Sequence, residues 1–201
     1  METKRRGRPR AYDVEDALIK VRDTFWDQGF AATSLDELSA ATGMNRPSLY
    51  GAFGDKQAMY MAAFDRYRAM GREALARALS FDRPLPEALE RVYRAALEIY
   101  LSGDAGARGC FMIGTGASEA VARPEVRAVL AAGLHELDAG FEARFRQAVD
   151  RGELPAGSDP VALARMAAAV LHTLSIRARA GETREQLDPI IAAGVAMLCR
   201  A

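Results

Sequence analysis

The chain is poor in the residues that most often carry chemistry or staple small folds: two cysteines (Cys110 and Cys199), two histidines (His135 and His172) and one tryptophan in 201 residues. Two cysteines cannot build a disulfide framework, and neither sits in the paired CxxC spacing of a metal site, so a reducing, cytoplasmic setting is expected. No HExxH and no nucleophile signature of a serine or cysteine enzyme is present, which leaves little for catalysis. Neither sign of charge is in excess, with 27 Lys plus Arg against 27 Asp plus Glu. A nucleic-acid role must therefore rest on local segregation of charge. No signal-like apolar run follows Met1, and no stretch of about 18 apolar residues occurs. The expectation is a soluble, unexported protein with no membrane partner, no cofactor and no metal. Period-two alternation of any length is also missing, and with it the basis for a sheet.

What the chain does have is helical periodicity from end to end. Val14, Ala17, Leu18, Val21 and Phe25 fall on one helix face, with Asp13 before them as an N-cap and Gly29 after them as a stop, predicting a helix over 13–28. Ser34-Leu35-Asp36-Glu37 is a capping-box pattern opening a short helix that Gly43 ends. Leu49 and Phe53 mark a third short helix, whose cap is Asn45 or Arg46 and whose first turn must contain Pro47. Longer helices are predicted from Asp55 to about Ala78, from Leu85 to Tyr100, from Pro124 to near Gly152, over 160–180 and over 184–200. Residues 108–122 hold three glycines in an apolar context and fit a buried helix or a strand equally. The fold class is all-α. The short helices suggest a basic arm at 1–10 and a small unit at 11–55, ahead of a larger helical domain at 56–201.

Two short helices around a tight glycine turn, braced by a preceding helix, make either a small bundle or a helix-turn-helix. The stretch from Thr33 through Gly43, Leu49-Tyr50, Phe53 and Lys56 to Met59, within an ungapped match from about Ala17 to Tyr60 that includes Gly29-Phe30, resembles the DNA-binding signature of the TetR/AcrR family of bacterial regulators. The resemblance implies that Leu49 and Phe53 are structural, while Arg46, Ser48 and Tyr50 project toward DNA. Arg46 suits a bidentate guanine contact, Ser48 serves several bases, and Tyr50 resembles the family's phosphate-contacting tyrosine. Lys56 at a helix start would clamp a phosphate together with backbone amides, and Thr33 and Ser34 would do likewise. The family often has serine at position 45 and glycine at position 47, where this chain has Asn45 and Pro47, so base preferences do not transfer.

Upstream, Lys4, Arg5, Arg6, Arg8 and Arg10 form an arm in which Arg6-Gly7-Arg8-Pro9 resembles the core of an AT-hook, whose arginines enter a narrow A·T minor groove. Among residues 11–60, Lys20, Arg22, Arg46 and Lys56 face eight acids. The basic groups are expected on the arm and the recognition side.

The larger half is expected to hold an apolar pocket for a small organic effector, with Tyr93, Tyr100, Cys110, Phe111, Met112, Phe141, Phe145 and His172 as candidates and Glu119 and His135 as weaker polar anchors. Small residues in the last two helices, Ala164, Ala167, Ala168, Ala192, Ala193 and Gly194, suit either a tight pair within the subunit or, as the resemblance implies, a homodimeric four-helix bundle. Cys110 follows Arg108-Gly109 in a segment resembling that of family members that sense electrophiles or oxidants; a buried, inert thiol is the plainer reading.

An enzyme is the competing class. Cys110-Phe-Met-Ile-Gly-Thr-Gly-Ala lacks the third glycine of a dinucleotide loop, and Gly51 to Gln57 lacks the hydroxyl residue after Lys56 that a P-loop needs. The expectation is a repressor that releases a palindromic operator when an effector binds. Activation, or thiol sensing through Cys110, is the alternative within the same family.

Overall fold

The computed structural model describes residues 13–103 and 106–200, and these divide between Ala63 and Phe64 into two compact units. Arg6 and Arg8 of the arm lie outside the described residues. All regular structure among the described residues is helical.

In the first unit, α1 (Val14–Gln28) starts where the Asp13 carboxylate accepts from the amides of Glu15 and Asp16, and buries Ala17, Val21, Phe25 and Trp26. Gly29, at φ 81°, lets the chain turn away. In α2 (Leu35–Thr42) the capping box is reciprocal: the Glu37 amide donates to Ser34 Oγ at 3.2 Å and the Ser34 amide to Glu37 Oε2 at 2.6 Å. Gly43 at φ 70° makes the left-handed turn into α3 (Arg46–Phe53). The cap of α3 is Asn45, whose Oδ1 accepts from the Ser48 amide at 2.9 Å, with Pro47 in the first turn where its missing N–H costs nothing. Leu38, Leu49 and Met59 are buried, as is an aromatic cluster in which Phe25 stacks on Phe30 and meets Tyr60 edge-on. The unit boundary falls inside α4 (Lys56–Ala78).

The second unit contains the rest of α4, then α5 (Leu85–Leu101), a single π turn (Met112–Gly116) running into the short α6 (Ala117–Glu119), α7 (Pro124–Asp150), α8 (Pro160–Arg179) and α9 (Arg184–Leu198). Its core joins Leu89, Tyr93, Phe141, Phe145, Ala167, Leu171 and Ile191. By length and composition α8 could cross a membrane, yet Leu163, Ala164, Ala167, Ala168, Leu171 and Leu174 form a buried face packed in this core.

Within residues 108–122 the middle is helical, a π turn over Met112–Gly116 followed by α6, while 108–110 lead in without regular structure and 120–122 form a turn. The strand alternative is excluded because Gly114 donates to the Cys110 carbonyl and Thr115 Oγ1 to the Phe111 carbonyl. The glycine before the turn is required: Gly109 has φ 66°, and a Cβ there would lie 2.6 Å from the Ser175 carbonyl oxygen.

At the far end of α7, Arg144 is 1% exposed and donates to the Arg83 carbonyl and to both carboxylate oxygens of Glu153. Glu153 Oε2 also accepts from the Leu85 amide at 2.6 Å, capping α5, which Pro84 leaves without a side-chain cap.

Candidate DNA-reading surface

α3 turns Leu49 into the core of the first unit, with Ala52 and Phe53 half-buried behind it, and leaves its first turn toward the surface. Arg46 and Tyr50 are exposed and Ser48 is half-buried. Arg46 does not stand alone. Its Nε lies 3.0 Å from Asp36 Oδ1, and its Nη2 lies 2.7 Å from each Asp36 oxygen, a pairing across ten residues of sequence that the α2–α3 turn fixes. Hydrogen bonding to that carboxylate, then its charge, raises the pKa of Arg46 above the ordinary guanidinium range.

Lys56, the first residue of α4, holds its ammonium 4.5 Å from the centre of the Phe30 ring. The amide share of its expected phosphate clamp is reduced, because Asp55 Oδ1 already accepts from the Ala58 amide and places a carboxylate at the helix start. Ser34 is exposed, its hydroxyl serving the capping box. Thr33 is 1% exposed and donates its hydroxyl to the Gly29 carbonyl at 2.7 Å, so that group is spent inside the turn and is not offered to DNA. The sequence gives no sign of this, since the bond depends on how the Gly29 turn closes.

Charge is sorted only in part. Lys20 lines an open groove of about 380 Å³ between α1 and α2 together with Asp23, Asp27 and Glu37, and Arg22 is paired with Asp23 at 2.8 Å. Those two cations therefore sit among acids of α1 and α2, which the expectation of basic groups gathered on the recognition side did not include. The Ser34 amide, then its hydroxyl, lowers the pKa of Glu37.

The effector candidates are mostly core. Tyr93, Phe111, Phe141 and Phe145 have no exposed surface, and Tyr93 donates its hydroxyl to the Ala167 carbonyl at 3.2 Å. They fill space and do not line the groove described above, which belongs to the first unit. Tyr100 is buried; Met112 and His172 are half-buried. Burial lowers the pKa of His172 and the charge of Asp138 opposes it. Cys110 is half-buried, with Tyr67 Oη 3.5 Å from its sulfur and its amide donating to Ser175 Oγ at 2.8 Å. Burial pushes the thiol upward, and hydrogen bonds from the Ile113 amide and the Tyr67 and Tyr100 hydroxyls offset this only in part. Glu119 is paired with Arg123, and His135 is exposed.

In the last two helices the small residues divide. Ala164, Ala167, Ala168 and Gly194 are buried within the subunit, whereas Ala192 and Ala193 are exposed. Met166 and Ile176 of α8 and Met197 of α9 are each more than half exposed.

Comparison with known proteins bears on this arrangement. Residues 22–63 match the model of bacterial regulatory proteins of the tetR family, and residues 86–193 match the tetracycline repressor-like C-terminal domain. The chain is 31% identical to the transcriptional repressor ComR of Escherichia coli over 188 residues, 93% of this chain and 89% of that one. It is 38% identical to the repressor BdcR of the same organism over 109 residues, 53% of this chain and 54% of that one. Among solved structures it is similar to a cysteine mutant of the regulator CifR in complex with a 26-base-pair operator duplex, with a TM-score of 0.80 and 31% identity, covering 94% of this chain and 98% of that one.

Proposed function

Because the chain belongs to the TetR family of bacterial regulatory proteins, and is thereby a DNA-binding transcription regulator, we propose that it is a homodimeric repressor that leaves a palindromic operator when a small organic effector binds its second unit. The observation that carries the reading is the outward face of α3, where Arg46, Ser48 and Tyr50 leave the helix beside the capped Asn45 turn. A two-fold protein sets two such helices on half-sites in neighbouring major grooves, with Lys56 supplying a phosphate contact and Arg6 and Arg8 an additional minor-groove hold. Repression is supported by the names of ComR and BdcR, and operator binding by the CifR complex. The exposed Met166, Ile176 and Met197 support pairing through α8 and α9. Effector and DNA weaken each other's binding by the same factor. Cys110 takes a structural part in this scheme, since a thiol held protonated by burial is a poor nucleophile.

The test is fluorescence anisotropy against DNA upstream of the protein's own gene, and against duplexes selected from a random pool, at several salt concentrations. Tight, selective, salt-sensitive binding is expected. Arg46→Ala should lose about 1 to 3 kcal/mol chiefly on the preferred site. Equal losses on preferred and random duplex would remove Arg46 from base reading.

A further inference from the structure

We propose that Asp36 is a specificity-determining residue: by occupying the lateral edge of the Arg46 guanidinium, it leaves that arginine one edge, shaped for the O6 and N7 acceptors of a guanine, and turns it away from phosphate. The inference rests on α3 being the DNA-reading helix and goes beyond it by stating how its arginine selects a base.

A guanidinium carries five N–H donors in one plane. The donors on Nε and the near side of Nη2 meet Asp36 at 3.0 and 2.7 Å. The end edge, formed by Nη1 and the outward N–H of Nη2, is engaged by nothing among the described residues. That edge is the fork that fits guanine end-on.

Charge then decides what it takes. A lone guanidinium beside a duplex is drawn to phosphate oxygens, which any sequence offers. Paired with a carboxylate, the unit is neutral overall, and the carboxylate repels a second anion while leaving contacts to uncharged guanine acceptors intact. Asp36 thus lowers affinity for all DNA and raises discrimination, the pattern of specificity by built-in repulsion.

Stability does not account for the pair. The side chains of Arg46 and Asp36 are 55% and 75% exposed, and exposed ion pairs contribute little. Nor does α2 need Asp36 as a cap, since Ser34 and Glu37 already serve its first turn. Meanwhile the Asn45 cap and Pro47 fix the backbone from which Arg46 extends, so both partners start from held positions.

The experiment is selection from a random duplex pool with the full-length wild type, Asp36→Ala, Arg46→Ala and the double variant, followed by anisotropy on the wild-type site and a shuffled duplex. In the wild type, guanine should be enriched at one position of each half-site. Asp36→Ala should lose about tenfold or more of that preference at that position alone. It should also bind shuffled DNA several-fold tighter, with a salt slope steeper by roughly one per reading unit. In the Arg46→Ala background, Asp36→Ala should change no base preference. Asp36→Asn, which keeps the shape and removes the charge, should also gain affinity for shuffled DNA, and it stands in if the alanine variant melts early. Three results overturn the proposal: Asp36→Ala keeping the guanine preference with altered overall affinity, equal losses on both duplexes irrespective of Arg46, or tighter binding to the wild-type site with selectivity intact, which would make the pair a latch. A folded wild type that enriches no motif would instead overturn the assignment of α3 as a reader, and the role of Asp36 with it.

Discussion

Lys56 rests its ammonium over the Phe30 ring, 4.5 Å from the centre, and Phe30 in turn lies against Phe25 and Tyr60. The cation is therefore held by the aromatic core of the first unit, at the start of α4. A cation–π contact of this kind contributes about 0.5 to 1 kcal/mol at a partly exposed site and limits where the lysine can reach. Lys56→Ala should weaken binding to every duplex by a similar factor and reduce the salt slope by about one. Phe30→Leu, which keeps apolar bulk, should give a smaller uniform loss in the same anisotropy assay.

Asn45 caps α3 through the Ser48 amide at 2.9 Å. Asn45→Ala should cost about 1 kcal/mol of stability in a urea titration. Because the cap holds the turn carrying Arg46 and Ser48, selectivity between preferred and shuffled duplex should fall as well. A loss of stability with selectivity unchanged would show that packing through Leu49 alone positions the reading residues.

Arg144 depends on Glu153 for its counter-charge, and its Nε and Nη1 have no partner among the described residues. Glu153→Gln should destabilise the protein by roughly 3 kcal/mol, since a buried charge is then left without its counter-ion. Burial raises the pKa of Glu153, but hydrogen bonds from Arg144 and the Leu85 amide, with the charge of Arg144, bring it below the ordinary 4.5. A carboxylate depressed in the folded state contributes stability that is fully present above its unfolded value and is lost as the pH falls through its folded value. Denaturation between neutral pH and about pH 3 should show a steeper acid loss for the wild type than for Glu153→Gln.

Burial raises the thiol of Cys110, so little thiolate exists at neutral pH. Alkylation of Cys110 in the folded protein, followed by mass spectrometry, should be slower than that of an unfolded control at pH 7.5 and should accelerate as the pH rises toward 9.5. Fast modification at neutral pH with loss of DNA binding would return the thiol-sensor alternative to first place.

The sequence was most informative where local rules act alone. The 3.6-residue face from Val14 to Phe25, the Ser34–Glu37 box and the Gly43 turn each follow from neighbours within a few positions, and the structure contains all three. The choice between Asn45 and Arg46 as cap needed the Oδ1 bond to Ser48. Residues 108–122 defied periodicity for a definite reason: a π turn has neither the 3.6 nor the 2.0 period that pattern reading looks for, and its glycines erase the apolar rhythm. The family resemblance named Arg46 as an outward cation, but its partner could not be named, because Asp36 sits on another helix and meets it only after Gly43 turns the chain. Thr33 reads as a hydroxyl at a helix start, and only the closed Gly29 turn reveals it as buried. In the second unit, aromatic residues at helical spacing are identical in pattern whether they fill a core or line a cavity, and Tyr93, Phe141 and Phe145 fill the core.

The start of α3 has a calorimetric consequence. With Asn45 capping its amides, Pro47 in its first turn and Leu49 buried, the helix is wound and docked before any duplex arrives. Segments that fold as they bind leave a large negative heat-capacity change, from the apolar surface they bury in doing so. A helix already formed has no such surface to hide. Titration calorimetry should therefore find, for the contribution of α3, a shallow dependence of binding enthalpy on temperature, with most of the favourable entropy coming from counterions released by the phosphates.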